Sequence, residues 1–308
     1  MMRLVLMTEP QLGGSYEDLV FAARAAEEAG LYGFSRSDHF YWTGDPGLPA
    51  TDAFTTLAGL ARETKRLRLT VLVSPVTFRH PAVIAKSAST IDELSGGRFE
   101  LGVGTGWMEA EHVAFGLPFP SWKERFSRLE ESLQYLRAAF GGGSFEGRFY
   151  SFNGNARPNP RRIDLVVGGS GSEKTPTLAR RFADEYNHFA IAPDQLAPKI
   201  EVMRDAATAA GRNADDITVS VMGPAMLAAN DERHAELLEN VRFRKTTVSE
   251  LKKQWDAEGV PHGTPEKAAE AFAAYAAVGV TKYYLQWLDL PDRAGIVEQV
   301  ELAAGLRI

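Results

Sequence analysis

Residues 66–107 read RLRLTVLVSPVTFRHPAVIAKSASTIDELSGGRFELGVGTGW, and this stretch decides the fold. Leu67 to Val73 is a nearly unbroken apolar run rich in branched residues, the signature of a strand covered on both faces. Pro81 to Leu94 has helical spacing with a proline at its start. Arg98 to Val103 is a second strand that runs directly into Gly104-Thr105-Gly106-Trp107. Strand, helix and strand in this order make a parallel βαβ unit. In such units the loops after the strands carry the chemistry, here 74–80 and 104–107.

Working outward, the same alternation repeats. Arg3 to Thr8 reads as a strand, Tyr16 to Ala29 as an amphipathic helix capped by Ser15 and stopped by Gly30, and Leu31 to Ser37 as a short strand ending in Asp38-His39. Ala53 to Glu63 is a helix with Asp52 as cap, and Trp122 to Phe140 a long helix ending at Gly141-Gly142-Gly143. After an irregular excursion over 144–162, with a small hairpin at Phe145 to Phe152, strands are predicted at Ile163–Val167, Glu185–Ile191, Ile217–Met222 and Lys282–Gln286. Helices are predicted at Thr175–Ala183, Ala197–Ala210, Pro265–Val278 and Asp292–Ala304. Residues 231–262 break the rhythm with a charged, helix-forming segment. Eight alternations of strand and helix without a linker predict one α/β domain over residues 1–308, a (β/α)8 TIM barrel with insertions at 144–162 and 231–262. A doubly wound open sheet is the alternative.

Of the 308 residues, 34 are Lys or Arg and 40 Asp or Glu, a net charge of −6, so nothing favours nucleic acid as a partner. No cysteine is present, which removes disulfides and thiolate chemistry and fits a cytoplasmic location. The apolar run Leu4 to Met7 is too short for a signal peptide, and no stretch reaches the roughly 20 apolar residues of a membrane span.

Several residues could carry chemistry. Gly168-Gly169-Ser170-Gly171 lies between a strand and a helix, where backbone approach and free N–H groups suit an anion; a plain tight turn is the alternative. It is not a P-loop, because Glu173 stands where that motif needs glycine. Gly102 to Gly106 fails the dinucleotide fingerprint at Trp107. His39 sits at the expected barrel mouth with Asp38, and Phe40, Tyr41 and Trp42 add an aromatic wall; a structural role for His39 is the alternative. His80 precedes a helix start and reads as structural; His112, His188, His234 and His262 read as isolated. Glu109-x-Glu111-His112 lacks a second histidine at zinc spacing, so no metal is expected, and no Gly-x-Ser-x-Gly elbow supports a hydrolase.

The chain resembles the luciferase-like monooxygenase superfamily, in particular its coenzyme F420-dependent oxidoreductase branch. The matching text is Ser37-Asp38-His39-Phe40, residues 51–107, Glu111-His112-x-Ala114-Phe115-Gly116-Leu117-Pro118-Phe119-Pro120, Arg125-Phe126, residues 165–171, 183–187 and Gly263-Thr264-Pro265. The resemblance implies a barrel, a homodimer and a deazaflavin (alternatively FMN) in the mouth. It implies a bulge with a non-prolyl cis peptide at Val73–Ser74 backing the ring system. Thr105, Gly106 and Gly168 would also bind the cofactor, and the Gly169–Ser170–Gly171 loop would hold its phosphate. Asp38 and His39 would lie near the ring, with His39 as proton donor or hydrogen-bond partner. Trp42, Trp107 and Glu109 would border the substrate. Trp107 stands where the sugar-phosphate dehydrogenases carry a glutamate, which argues against that substrate. The expected activity is hydride transfer between F420 and an electron-poor alkene, ketone, alcohol or imine. The alternatives are an FMN monooxygenase using reduced flavin and oxygen, and a non-catalytic flavin-binding protein.

Overall fold

The computed structural model describes residues 2–154, 163–171, 173–241 and 245–308. In chain order the elements are β1 (Arg3–Thr8), α1 (Tyr16–Ala29), β2 (Gly33–Arg36), α2 (Ala53–Glu63), β3 (Arg68–Pro75), α3 (Pro81–Ser95), β4 (Phe99–Gly104), α4 (Glu109–Ala114) and α5 (Trp122–Gly141). There follow β5 (Phe145–Glu146), β6 (Ser151–Phe152), β7 (Asp164–Gly168), α6 (Lys174–Phe182), β8 (Glu185–Phe189), α7 (Pro193–Ala209), β9 (Thr218–Pro224) and β10 (Met226–Leu227). The chain closes with α8 (Asp231–Glu239), α9 (Val248–Glu258), β11 (His262–Gly263), α10 (Pro265–Ala277), β12 (Lys282–Trp287) and α11 (Arg293–Ala304).

Eight strands form a closed parallel barrel in the order β1-β12-β9-β8-β7-β4-β3-β2. The expected (β/α)8 barrel is therefore present. Side chains alternate across the barrel wall. Along β12, Tyr283, Leu285 and Trp287 face the outer shell of helices, and Lys282, Tyr284 and Gln286 face inward. The inner filling is small: Val5, Met7, Leu72, Val166, Met222 and Tyr284. The larger core lies between strands and helices, with Phe34, Phe99, Tyr186, Phe272 and Tyr275 fully buried there.

Local chemistry sets the helix starts. Ser15 and Asp18 form a reciprocal capping box on α1, and Asp52 accepts from the N–H of Thr55 at 2.7 Å to start α2. His80 accepts from the N–H of Ala82 at 3.1 Å ahead of Pro81, so it caps α3, as its position predicts.

Some boundaries differ from expectation. The strand over 31–37 is only Gly33–Arg36, and α7 begins at Pro193, because Pro198 sits inside the helix and does not start it. Sequence reading missed α4 and the two-stranded parallel pair β10–β11, which ties both ends of the 231–262 segment together. That segment holds α8 and α9; of 144–162, the β5–β6 hairpin is present and residues 155–162 lie outside the described residues. Among the described residues, no helix is long and apolar enough to cross a membrane.

Candidate active site at the carboxyl-terminal rim

The carboxyl ends of the strands open onto a cavity of about 840 Å³. Of the residues singled out from sequence, the cavity wall includes Asp38, His39, Trp42, Val73, Thr105, Gly106 and Trp107, with the loop Gly168 to Gly171. The sequence thus brought the two glycine loops and the Asp-His pair to one place.

A bulge in β3 shapes the floor. Val71 pairs with Leu101 and Ser74 with Val103, so Leu72 and Val73 together oppose one residue, Gly102. Leu72 and Val73 consequently both turn inward. Glycines on the neighbouring strands make room for Val73. A Cβ at Gly102 would stand 2.8 Å from Val73 Cγ1, one at Gly104 2.8 Å from Cγ2, and one at Gly168 3.1 Å from Cγ1. Inward parity on β4 gives Glu100, Gly102 and Gly104, so two of its three inward positions are bare backbone. The non-prolyl cis bond is Leu72–Val73 and not Val73–Ser74, since Ser74 has already rejoined the ladder. For the same reason Ser74 is fully buried and lies behind the cavity wall, its Oγ 3.5 Å from Arg79 Nη1.

The loop after β7 is equally bare. Gly169 has φ 155°, and Cβ atoms at Gly169 and Gly171 would meet Thr175 Oγ1 at 3.0 and 3.1 Å. The loop therefore lies close on the first turn of α6, and side chains at 169 or 171 would crowd Thr175. Thr175 itself reaches the cavity. Bare backbone, a hydroxyl and a helix start together suit the anionic end of a ligand.

Asp38 is 2% exposed, and its two oxygens accept from Arg79, Nη1 to Oδ2 at 2.5 Å and Nη2 to Oδ1 at 3.2 Å. Arg79 also bonds Asp52 at the start of α2. Beneath them Arg36 is fully buried, donating to Ser37 O, Thr51 and Thr56. Burial lowers its pKa to about 10 against the opposing pull of Asp38, Asp52 and Glu9. These two arginines fix the Ser37–His39 turn.

His39 Nδ1 lies 3.0 Å from Glu111 Oε2, and the other Glu111 oxygen accepts from the main-chain N–H of Phe40. The ring stands edge-on to Trp107, centroids 5.7 Å apart. Burial opposes charge on His39, but the hydrogen bond and charge of Glu111, with Glu9 and Asp38 behind, outweigh it and raise its pKa above the ordinary histidine value. On the β1–β12 side, buried Glu9 accepts from Gln11 and Gln286, each at 2.7 Å, and Ser37 Oγ donates to Gln11 at 2.8 Å.

Glu109 does not belong to the cavity wall. It is exposed at the start of α4, whose buried face carries Met108, Glu111 and His112 at spacings of three and four. His112 is committed to Met108 O at 2.8 Å and Thr77 Oγ1 at 2.7 Å. His234 and His262 are not isolated: His262 Nδ1 meets His234 Nε2 at 3.2 Å. Among the described residues, no group of three or more His, Asp or Glu is placed to hold a metal.

Comparison with known proteins shows the family and the fold. The F420-dependent glucose-6-phosphate dehydrogenase of Amycolatopsis mediterranei (strain U-32) is 32% identical over 235 residues, covering 73% of this chain and 69% of that protein. Pyrimidine monooxygenase RutA of Escherichia coli (strain K12) is 32% identical over 171 residues, 53% of this chain and 44% of RutA. In fold, monooxygenase RslO1 of Streptomyces bottropensis has a TM-score of 0.82 at 23% identity, covering 98% of each chain. The coenzyme F420-dependent tetrahydromethanopterin reductase of Methanopyrus kandleri has a TM-score of 0.77 at 17% identity, covering 99% of this chain and 97% of the reductase. The sequence profile of the family described as luciferase-like monooxygenase matches residues 2–282, and the chain belongs to that family.

Proposed function

We propose that this chain is an F420-dependent oxidoreductase that moves a hydride between the deazaflavin and a small organic substrate, an electron-poor alkene, ketone, alcohol or imine. The observation that carries the reading is one cavity whose wall includes the inward-turned Val73, the bare loops Gly104–Gly106 and Gly168–Gly171, and His39. The residues present fit the group: Gly104, Thr105, Gly106 and Val73 would flank the ring, and Gly169 to Gly171 with Thr175 would receive the phosphate. When bound in reduced form, F420 supplies a hydride from C5. The chain supplies orientation through the Val73 floor and a proton through His39, whose raised pKa keeps more of it charged near neutral pH than an ordinary histidine. Trp42 and Trp107 border the space left for substrate.

The similarity to F420-dependent glucose-6-phosphate dehydrogenases over 73% of the chain supports F420 as cofactor. The shorter match to RutA favours a second reading, an FMN monooxygenase supplied with reduced flavin. Anaerobic incubation with C5-deuterated reduced F420 and a panel of ketones, enones and imines separates them. The proposal expects deuterium at the substrate carbon without oxygen. Substrate conversion that occurs only with reduced FMN and oxygen contradicts it.

A further inference from the structure

We propose that Glu111 is the positioning residue of His39: its carboxylate holds one proton on Nδ1, so that Nε2, on the cavity side, is the nitrogen that takes up and releases the proton used in the reaction. Neither composition nor spacing marked Glu111 for this task. It arrives from α4, one turn beyond the rim position that Trp107 occupies.

The geometry is specific. Glu111 is 1% exposed and spends both oxygens on consecutive residues, one on His39 Nδ1 and one on the N–H of Phe40. A carboxylate only accepts hydrogen bonds, so the proton on this side of the ring belongs to Nδ1. Nε2 makes no hydrogen bond to any other described residue, and the ring forms part of the cavity wall. A carboxylate–histidine pair of this kind sets which nitrogen faces the reaction and stabilises the charged ring.

The charged groups facing His39 are Glu111 from α4, Glu9 from the end of β1 and Asp38 from its own loop, with Arg79 on the far side of Asp38 and Arg36 beneath. Asp38 already has Arg79, and the Glu9 oxygens are held by two amides. Glu111 is the carboxylate that contacts the ring directly. It therefore carries most of the bias toward imidazolium. For a ketone substrate, the proton leaves Nε2 for the carbonyl oxygen as hydride reaches the carbon. Both electrons arrive with the hydride, C=O becomes CH–OH, and the neutral ring regains its proton from solvent.

The chemistry in this inference rests on the hydride-transfer reading, but its first test does not. In the cofactor-free protein, the ring C–H resonances of the six histidines are followed by NMR against pH, with H39Q assigning one of them. In E111Q the amide can accept from only one of His39 and Phe40. The expected result is about tenfold less His39 imidazolium at a given pH near neutrality. E111D, which withdraws the carboxylate but keeps its charge, should lie between. An unchanged His39 titration in E111Q overturns the proposal and leaves Glu111 as a brace for the Phe40 backbone. With reduced F420 and a ketone, E111Q should move the pH profile of kcat by the same amount, with F420 affinity unchanged. Loss of affinity together with an unmoved profile also overturns it. If every variant, the parent included, fails to turn over, the hydride-transfer reading falls while the titration still decides whether Glu111 holds the charge on His39.

Discussion

Lys282 shows how one residue closes the floor beneath the site. Its ammonium lies 2.5 Å from Glu100 Oε2 and 2.8 Å from Glu185 Oε2, all three side chains at most 6% exposed. Thr70 and Arg68 also bond Glu100, and Tyr284 bonds Glu185. Every ion in the cluster has a partner; without Lys282, Glu100 would keep Arg68, but among the described residues Glu185 would keep only the Tyr284 hydroxyl. Lys282→Met leaves two buried carboxylates facing each other and should destabilise the fold by about 3–5 kcal/mol in urea unfolding. A change below about 1 kcal/mol would show that the cluster is no keystone of the barrel. In sequence Lys282 was legible only as the start of a strand. Its inward direction depends on register, which pairs it with Ser220 and Arg3 and is set by barrel closure. His39 and Asp38 were legible because they end a strand at a rim. Glu111 and Arg79 were not, because the loops that bring them to the pair are far from it in sequence. The Met108–Glu111–His112 spacing was the available signal for Glu111: a carboxylate on the buried face of a short helix calls for a partner.

Among the elements, the segment between β9 and α10 is held together by side chains that titrate. His262 Nδ1 meets His234 Nε2, and His262 Nε2 meets Asp256 Oδ1 at 3.0 Å, joining α8, α9 and β11. Burial is the main cause that lowers the His234 pKa to about 4, helped by His262, Lys252 and Lys267 and opposed by Asp231. Burial likewise lowers that of His262, against Asp256. In the unfolded segment both rings titrate at about 6.5. The folded pKa lies below the unfolded one, so this contribution to stability is intact above about pH 6.5 and is lost as pH falls toward the folded value. Hydrogen-exchange protection in α8, α9 and β11 should fall between about pH 7 and pH 5 while the barrel strands hold theirs. Equal loss in both regions contradicts this. The helical character of 231–258 was plain from its charges, but the β10–β11 pair was not. Two-residue strands carry no periodicity, and only the barrel brings their ends together.

For the whole molecule, the alternation of strands and helices was readable because strands covered on both faces, such as β3 and β7, read as apolar runs, although β2 (GFSR) and β8 (EYNHF) do not. The site was readable as a rim, since the fold fixes which loops share an end. Its interior was not: the one-residue offset of the cis bond and the exclusion of Ser74 from the cavity both follow from where the β3–β4 ladder resumes. The central claim is that this rim holds a flat deazaflavin by its ring over Val73 and by its anionic tail on the Gly169–Gly171 loop. Equilibrium titration with F420 and with FMN, on the parent protein and on Gly169→Val, tests it most directly. The account predicts saturable F420 binding that exceeds FMN binding and weakens by about tenfold or more when a side chain at 169 meets Thr175. Tight FMN binding with no F420 binding, or an affinity indifferent to Gly169→Val, would contradict it.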